Sequence, residues 1–182
     1  METEKIVLAG GCFWCIEPVF KRINGVQSVM CGYTGGTTRN PTYDDICTGK
    51  TGHAEAIKVE FDKNTINLST LLEVFLTIHD PTTLNKQGAD IGTQYRSAIF
   101  YEGEEQRTAA ENAISKINKS KIWENPIATT LERLTEFYEA ENYHQDFFTK
   151  NPNNRYCQIS ITPKLRKLDE LFKNFLKQTK YN

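Results

Sequence analysis

The chain has 182 residues, of which 38% are apolar and 25% are charged, and its formal net charge is −1. This composition is ordinary for a globular protein, and the balanced charge excludes a general attraction to nucleic acid or to an anionic membrane. We therefore expect a single domain over residues 1–182 that is a monomer and has neither nucleic-acid nor membrane partners.

The cysteines and the first residues indicate the compartment. Five cysteines, an odd number spread from Cys12 to Cys157, do not form the pattern of a disulfide framework. Residues 1–5 lack a basic leader, and the apolar run that follows is broken at Gly10–Gly11. We expect a cytoplasmic protein whose cysteines are catalytic or redox-active.

The N-terminal pattern predicts a buried strand over residues 6–9, a tight glycine turn, and an amphipathic helix after it. This arrangement places Cys12 at the helix N terminus, where unpaired N–H groups and the helix dipole favour a thiolate. We therefore predict a nucleophilic Cys12 with a lowered pKa. The adjacent Phe13 and Trp14 suggest an apolar pocket beside it.

The next strand carries a carboxyl group on its apolar face. Residues 54–61 alternate, so Glu55 shares a face with Ile57, Val59 and Phe61. Burial raises the pKa of a carboxyl group and can keep it protonated near neutral pH. Glu55 is therefore a candidate general acid.

The interleaved helices and strands predict an α/β (α+β) fold. We expect a two-layer sandwich in which a mixed β-sheet packs against helices, with a ferredoxin-like core, long irregular loops and a C-terminal tail over residues 150–182. The pattern predicts strands at 26–33, 54–61, 96–101, 128–134 and 157–161, helices at 67–80, 104–119, 143–149 and 164–178, and loops at 37–52 and 82–93.

Several motifs, spread in order along the chain, resemble the peptide methionine sulfoxide reductases of the A class. They are Gly11-Cys12-Phe13-Trp14, Gly32-Tyr33-Thr34-Gly35-Gly36, Asn40-Pro41-Thr42-Tyr43, Gly52-His53-Ala54-Glu55, Asp80-Pro81-Thr82, Gln94-Tyr95-Arg96-Ser97 and Tyr143-His144-Gln145-Asp146. The resemblance implies reduction of methionine S-sulfoxide, free or protein-bound, without a cofactor, followed by recycling with thioredoxin. It also implies a repair function after oxidative damage.

The resemblance also implies roles for single residues. Tyr43 and Tyr95 would donate hydrogen bonds to the sulfoxide oxygen, and Asp90 would complete the polar network. Phe13 and Trp14 would form the apolar seat for the substrate methyl group. Attack by the Cys12 sulfur would release methionine and leave a sulfenic acid, which condenses with a second thiol.

Two cysteines are candidates for that second thiol. Cys157 resembles the resolving cysteine that the family carries near the C terminus, and its pairing would let a mobile tail close over the site. Cys15 stands where many members of the family have glycine, and the Cys12-x-x-Cys15 spacing also permits a disulfide. We favour Cys157, and the choice stays open on the sequence.

Two other functions remain as alternatives. The first is a dithiol–disulfide oxidoreductase that uses Cys12 and Cys15 on protein disulfides. The second is a non-enzymatic peptide-binding or metal-binding module, with a zinc site built from Cys12, Cys15, Cys31 and Cys47, although the second pair lacks the short spacing of structural zinc sites. We interpret Cys31 and Cys47 instead as small buried apolar residues.

Overall fold

The computed structural model describes residues 2–178. Its strands are β1 (Thr3–Ala9), β2 (Val26–Thr34), β3 (Ala54–Asp62), β4 (Lys86–Gln87), β5 (Asp90–Ile91), β6 (Ala98–Tyr101), β7 (Thr130–Arg133) and β8 (Phe137–Glu139). Its α-helices are α1 (Phe13–Lys21), α2 (Tyr43–Cys47), α3 (Leu68–Ile78), α4 (Glu104–Ser120), α5 (Phe147–Lys150) and α6 (Thr162–Leu171).

Six of the strands form one sheet in the order β7-β6-β1-β3-β2-β8, and β4 pairs with β5 in a separate hairpin. The inner strands β6-β1-β3-β2 are antiparallel and follow the order of the ferredoxin-like β-α-β-β-α-β unit. Strand β7 is parallel to β6, which makes the sheet mixed. The predicted α/β class and the mixed sheet are confirmed.

The main core lies between the helices and one face of the sheet. The apolar residues that alternate along β1 and β3 point into it and are almost completely buried, among them Ile6, Leu8, Ile57 and Val59. Burying one such side chain stabilises the fold by about 1.5–3 kcal/mol. The opposite face carries a smaller cluster around Ala54, Ala56 and Phe100. Helices therefore form one layer and the sheet the other.

The tail differs from its predicted structure. The predicted strand at 157–161 is wrong, because this segment forms a π-helical turn that continues into α6. The alternating apolar residues of Cys-Gln-Ile-Ser-Ile suggest a strand, but Cys157 and Ile161 are buried four residues apart while Ile159 is exposed. The helix also ends at Leu171 rather than near 178, and residues 179–182 of the predicted tail lie outside the described part of the chain.

The predicted loop 82–93 contains the short β4–β5 hairpin, and two further short elements also escaped the sequence pattern. Helix α2 lies within the loop 37–52, and it begins with a capping box in which Thr42 and Asp45 exchange hydrogen bonds between side chain and backbone. Strand β8 completes the sheet by pairing with residues 32–34 of β2. Both elements consist of five residues or fewer, so that neither shows a clear hydrophobic period.

Candidate active site

Cys12 lies where β1 meets α1. The turn between them depends on Gly11, whose φ of +82° is a backbone conformation that other residues rarely adopt. A Cβ atom at Gly11 would also lie 2.6 Å from Cγ of Gln87, so the β4–β5 hairpin packs directly on this turn. Cys12 is the N-cap residue of α1 and is 8% exposed.

Glu55 lies beneath the start of the same helix. Its side chain is 2% exposed, and Oε2 accepts a hydrogen bond of 3.0 Å from the backbone N–H of Phe13. Burial raises the pKa of Glu55 to about 8, although the Phe13 N–H opposes the rise, and the charge of Asp90 raises it further. The predicted burial and raised pKa of Glu55 are confirmed, and the carboxyl group is mainly protonated at neutral pH.

The thiols of Cys12 and Cys15, in the first turn of α1, differ in acidity. Burial raises the pKa of Cys12 well above its ordinary value, and the neighbouring Cys15 side chain and Glu55 charge add to the rise. The predicted lowering of the Cys12 pKa is therefore wrong, because burial outweighs the helix N terminus.

The pKa of Cys15, in contrast, is lowered to about 7. Its interaction with the Cys12 side chain is the largest cause, and burial opposes it. The positive charge of Lys164 also lowers this pKa, whereas the charge of Asp90 raises it. Cys15 is thus the more acidic thiol of the pair.

Aromatic side chains form one wall of the site. The indole N–H of Trp14 donates to Nδ1 of His144 at 3.1 Å, and the Trp14 ring stacks on Phe147 at 3.6 Å between centroids. The rings of Phe13 and Tyr43 lie 5.0 and 4.4 Å from that of His144. The wall is apolar and rigid, which suits an uncharged methyl group.

Two tyrosines lie within electrostatic reach of Glu55. Tyr43 begins α2, and its backbone N–H donates to Oε2 of Glu141 at 3.1 Å. Tyr95 ends a 3₁₀ turn at Thr93–Tyr95, just before β6. Burial raises the pKa of both phenols, and the charge of Glu55 raises both further. Both side chains therefore remain O–H donors.

Asp90 enters the site from the β4–β5 hairpin and is joined to the tail. Its Oδ2 accepts a hydrogen bond of 2.8 Å from the hydroxyl of Tyr156, which also lies 3.5 Å from Sγ of Cys15. Cys157 follows Tyr156 and is completely buried. Burial raises the pKa of Cys157, and the nearby charge of Cys15 raises it further. Cys15 thus lies in electrostatic reach of both other thiols.

The structure therefore brings the predicted site residues into one region. The residues in question are Cys12, Phe13, Trp14, Tyr43, Glu55, Asp90, Tyr95 and Cys157. Sequence reasoning missed Tyr156, although it directly precedes Cys157. His144, which contacts Trp14 and Phe13, was given no role from the sequence either, and the motif at 143–146 was the available signal that this residue borders the site.

The segment that carries His144 is anchored on the sheet. The side-chain amide of Gln145 accepts a hydrogen bond of 2.8 Å from the Cys31 N–H and donates one of 2.9 Å to the Cys31 carbonyl. It also donates to the carbonyl of Ala140 at 3.1 Å. The Gln145 side chain therefore makes the hydrogen bonds to β2 that the backbone of a neighbouring strand would make. These bonds hold the segment with His144, and so the aromatic wall, in place.

The other two cysteines lie outside this constellation. Cys31 is completely buried, as predicted, whereas the predicted burial of Cys47 is wrong, because Cys47 is exposed at the end of α2. In the part of the chain that the structure describes, no three His, Cys, Asp or Glu side chains cluster so that they could hold a metal ion. No helix between residues 2 and 178 is long and apolar enough to cross a bilayer.

Comparison with known proteins gives a consistent assignment. The sequence profile of the family "Peptide methionine sulfoxide reductase" matches residues 4–176. The peptide methionine sulfoxide reductase MsrA of Trichodesmium erythraeum is 52% identical over 169 residues, which are 93% of this chain and 96% of that protein.

Solved structures support the same family assignment. The reduced form of Mxr1 from Saccharomyces cerevisiae is 35% identical, with a TM-score of 0.77 over 84% of this chain and 88% of the yeast chain. A structure of Mxr1 in complex with Trx2 matches with a TM-score of 0.54 and 25% identity, over 80% of this chain and 85% of that one. The predicted resemblance is confirmed, and the chain belongs to the peptide methionine sulfoxide reductase family.

Proposed function

We propose that this chain reduces methionine S-sulfoxide, free or in proteins, through a sulfenic acid on Cys12. The observation that carries the proposal is a buried carboxyl group, Glu55, with a pKa of about 8 beside the Cys12 thiol. A sulfoxide oxygen departs poorly unless it is protonated, so a carboxyl group that is protonated at neutral pH is the acid this reaction needs.

The raised pKa of Cys12 fits a coupled proton transfer. Glu55 donates its proton to the sulfoxide oxygen and then accepts the proton that Cys12 releases as its sulfur attacks. The oxygen passes to the Cys12 sulfur, so that methionine and a sulfenic acid are the products, and no proton is gained or lost overall. The hydroxyls of Tyr43 and Tyr95 would hold the oxygen during this transfer, and Trp14 and Phe13 would seat the methyl group.

The sulfenic acid is then resolved to a disulfide. Cys15 interacts with Cys12 and has the lowered pKa of an attacking thiol, which supports Cys15 as the first partner. Cys157 is near Cys15, which supports a second exchange that moves the disulfide to the tail. We propose this order, Cys12 to Cys15 to Cys157, which retains the predicted resolving role of Cys157 as its last step.

A thioredoxin would reduce the final disulfide. The complex of the yeast relative with Trx2 supports a thioredoxin in this role. A cycle that returns to free thiols suits a reducing compartment, so we propose the cytoplasm as the location.

The decisive experiment follows methionine formation with one equivalent of methionine sulfoxide, supplied as the S or the R epimer, and no added reductant. Wild-type protein should form about one methionine per chain, the S epimer should react and the R epimer should not, and mass mapping should then find a disulfide at Cys12, Cys15 or Cys157. Cys12→Ser should form none. Methionine formation by Cys12→Ser at the wild-type rate would refute the proposal.

The contact between Cys12 and Cys15 also favours a second function, dithiol–disulfide exchange with proteins. In that function Cys15→Ser abolishes turnover of a disulfide substrate, and Glu55→Gln leaves it almost unchanged. In sulfoxide reduction the order is reversed for the first turnover, because Glu55 takes part in it and Cys15 does not. Comparing the two variants on both substrates separates the two functions.

A further inference from the structure

One hydroxyl group joins the more acidic thiol of the site to a carboxylate. The Tyr156 oxygen lies 3.5 Å from Sγ of Cys15 and 2.8 Å from Oδ2 of Asp90. These three side chains come from α1, from the tail and from the β4–β5 hairpin. Tyr156 is half-buried, and its ring meets Trp14 edge-on at 6.1 Å between centroids, which holds the hydroxyl in place.

We propose that Tyr156 and Asp90 take the proton from Cys15 when Cys15 attacks the oxidised Cys12 sulfur. This role rests on the sulfenic acid proposed above. It gives Tyr156 a part in the resolving step, and it gives Asp90 a part beyond completing a polar network.

The direction of the hydrogen bonds supports this path. A carboxylate only accepts, so the Tyr156 O–H donates to Asp90 and leaves the lone pairs of the tyrosine oxygen to accept from the Cys15 S–H. Burial and the charges of Cys12 and Cys15 raise the pKa of Tyr156 far above its ordinary value, so the phenol stays protonated and carries the proton without ionising. The Cys15 thiol therefore donates to the Tyr156 oxygen, and the Tyr156 hydroxyl donates to the Asp90 carboxylate.

The step balances in atoms and electrons. The Cys15 S–H bond and the Cys12 S–O bond break, an S–S bond forms, and the departing hydroxide takes a proton from Glu55 to become water. The Cys15 proton passes through Tyr156 to Asp90, so that one negative charge moves from Asp90 to Glu55. Asp90 and Glu55 interact electrostatically, and return of the proton to Glu55 restores the starting state.

Other charged or titratable groups also act on Cys15. The Cys12 side chain and the Lys164 charge lower its pKa, while Asp90 raises it. Glu55 and Cys157 also interact with Cys15 through their charges. The Tyr156 hydroxyl differs from all of these, because it both contacts the Cys15 sulfur and donates to a carboxylate, so it can pass on the proton at the moment of attack.

The test separates the two chemical steps in the full-length protein. Tyr156→Phe keeps the ring against Trp14 and removes the hydroxyl. With one equivalent of methionine S-sulfoxide, quenched samples report methionine formation, the Cys12 sulfenic acid trapped by a dimedone-type probe, and disulfide formation by mass. Methionine formation should match wild type, whereas disulfide formation should slow by about tenfold or more and trapped sulfenic acid should accumulate.

Three controls make the outcome specific. Tyr138→Phe removes a surface tyrosine hydrogen bond to Glu136 and should change neither step. Asp90→Asn still accepts the Tyr156 hydrogen bond but cannot take a proton, so disulfide formation should slow. In a Cys15→Ser background, Tyr156→Phe should have no further effect, because the thiol that it serves is gone.

The results distinguish this inference from the proposed function. If wild-type protein gives no methionine and no trapped sulfenic acid, the proposed function fails. If both appear but Tyr156→Phe forms the disulfide at the wild-type rate, only the inference is overturned. An equal slowing in the Cys15→Ser background would also overturn it, since the hydroxyl would then act on another group.

Discussion

The raised pKa of Glu55 predicts that the site destabilises the fold. In the unfolded chain a glutamate has a pKa of about 4.5, whereas in the folded protein Glu55 has a pKa of about 8. Between these two values the unfolded state gives up its proton and the folded state keeps it, so stability falls as pH rises. From 4.5 to pH 7, at about 1.4 kcal/mol per pH unit, the loss is about 3 kcal/mol.

The substitution Glu55→Gln removes this titration and keeps an oxygen that accepts the Phe13 N–H. We expect the free energy of unfolding of Glu55→Gln, minus that of wild type, to increase by about 3 kcal/mol between pH 4.5 and pH 7 and to level off above pH 8. Any constant cost of burying the amide cancels in this comparison.

Urea unfolding followed by tryptophan fluorescence, with reductant present, measures the difference at several pH values. The exposed residue Glu124 provides the matched control, since Glu124→Gln should show no comparable pH-dependent gain. A Glu55→Gln difference that stays constant from pH 4.5 to pH 8 would refute the reasoning, because it would mean that Glu55 titrates alike in both states.

Three further predictions concern activity and the turn. The rate of methionine formation by wild type should fall as pH rises through about 8, where Glu55 loses its proton, as a pH–rate profile will measure. Trp14→Phe removes the hydrogen bond to His144 and should raise KM for the sulfoxide by about tenfold in steady-state kinetics; an unchanged KM would contradict the proposed seat. Gly11→Ala should lower the free energy of unfolding by about 1–3 kcal/mol, because the alanine would have to adopt a positive φ and its Cβ would clash with the Gln87 side chain. A urea midpoint equal to that of wild type would contradict this prediction.

The parts of the site that depend on local patterns could be predicted from the sequence. Alternation along residues 54–61 shows which face of β3 is apolar, and this places Glu55 in the core without any knowledge of its neighbours. Likewise, the glycine pair before an amphipathic stretch is enough to put Cys12 at the start of a helix. Both arguments need only a few consecutive residues.

The parts that depend on distant contacts could not be predicted. The acidity of Cys12 is decided by burial beside Glu55 and Cys15, and no periodicity in the sequence reports that burial quantitatively. The alternating apolar residues of the tail favour a strand, but packing against α1 selects a helical turn instead. Only that packing brings Tyr156 from the far end of the chain to the thiol of Cys15.

The side chain of Gln145 anchors the aromatic wall of the site independently of the tail. Its amide forms hydrogen bonds with the backbone of Cys31 and Ala140, as a paired strand would, and these bonds connect the aromatic wall to the sheet. Tyr156 and Cys157, in contrast, belong to the tail. The aromatic wall therefore owes its position to the sheet and not to the segment that carries Cys157.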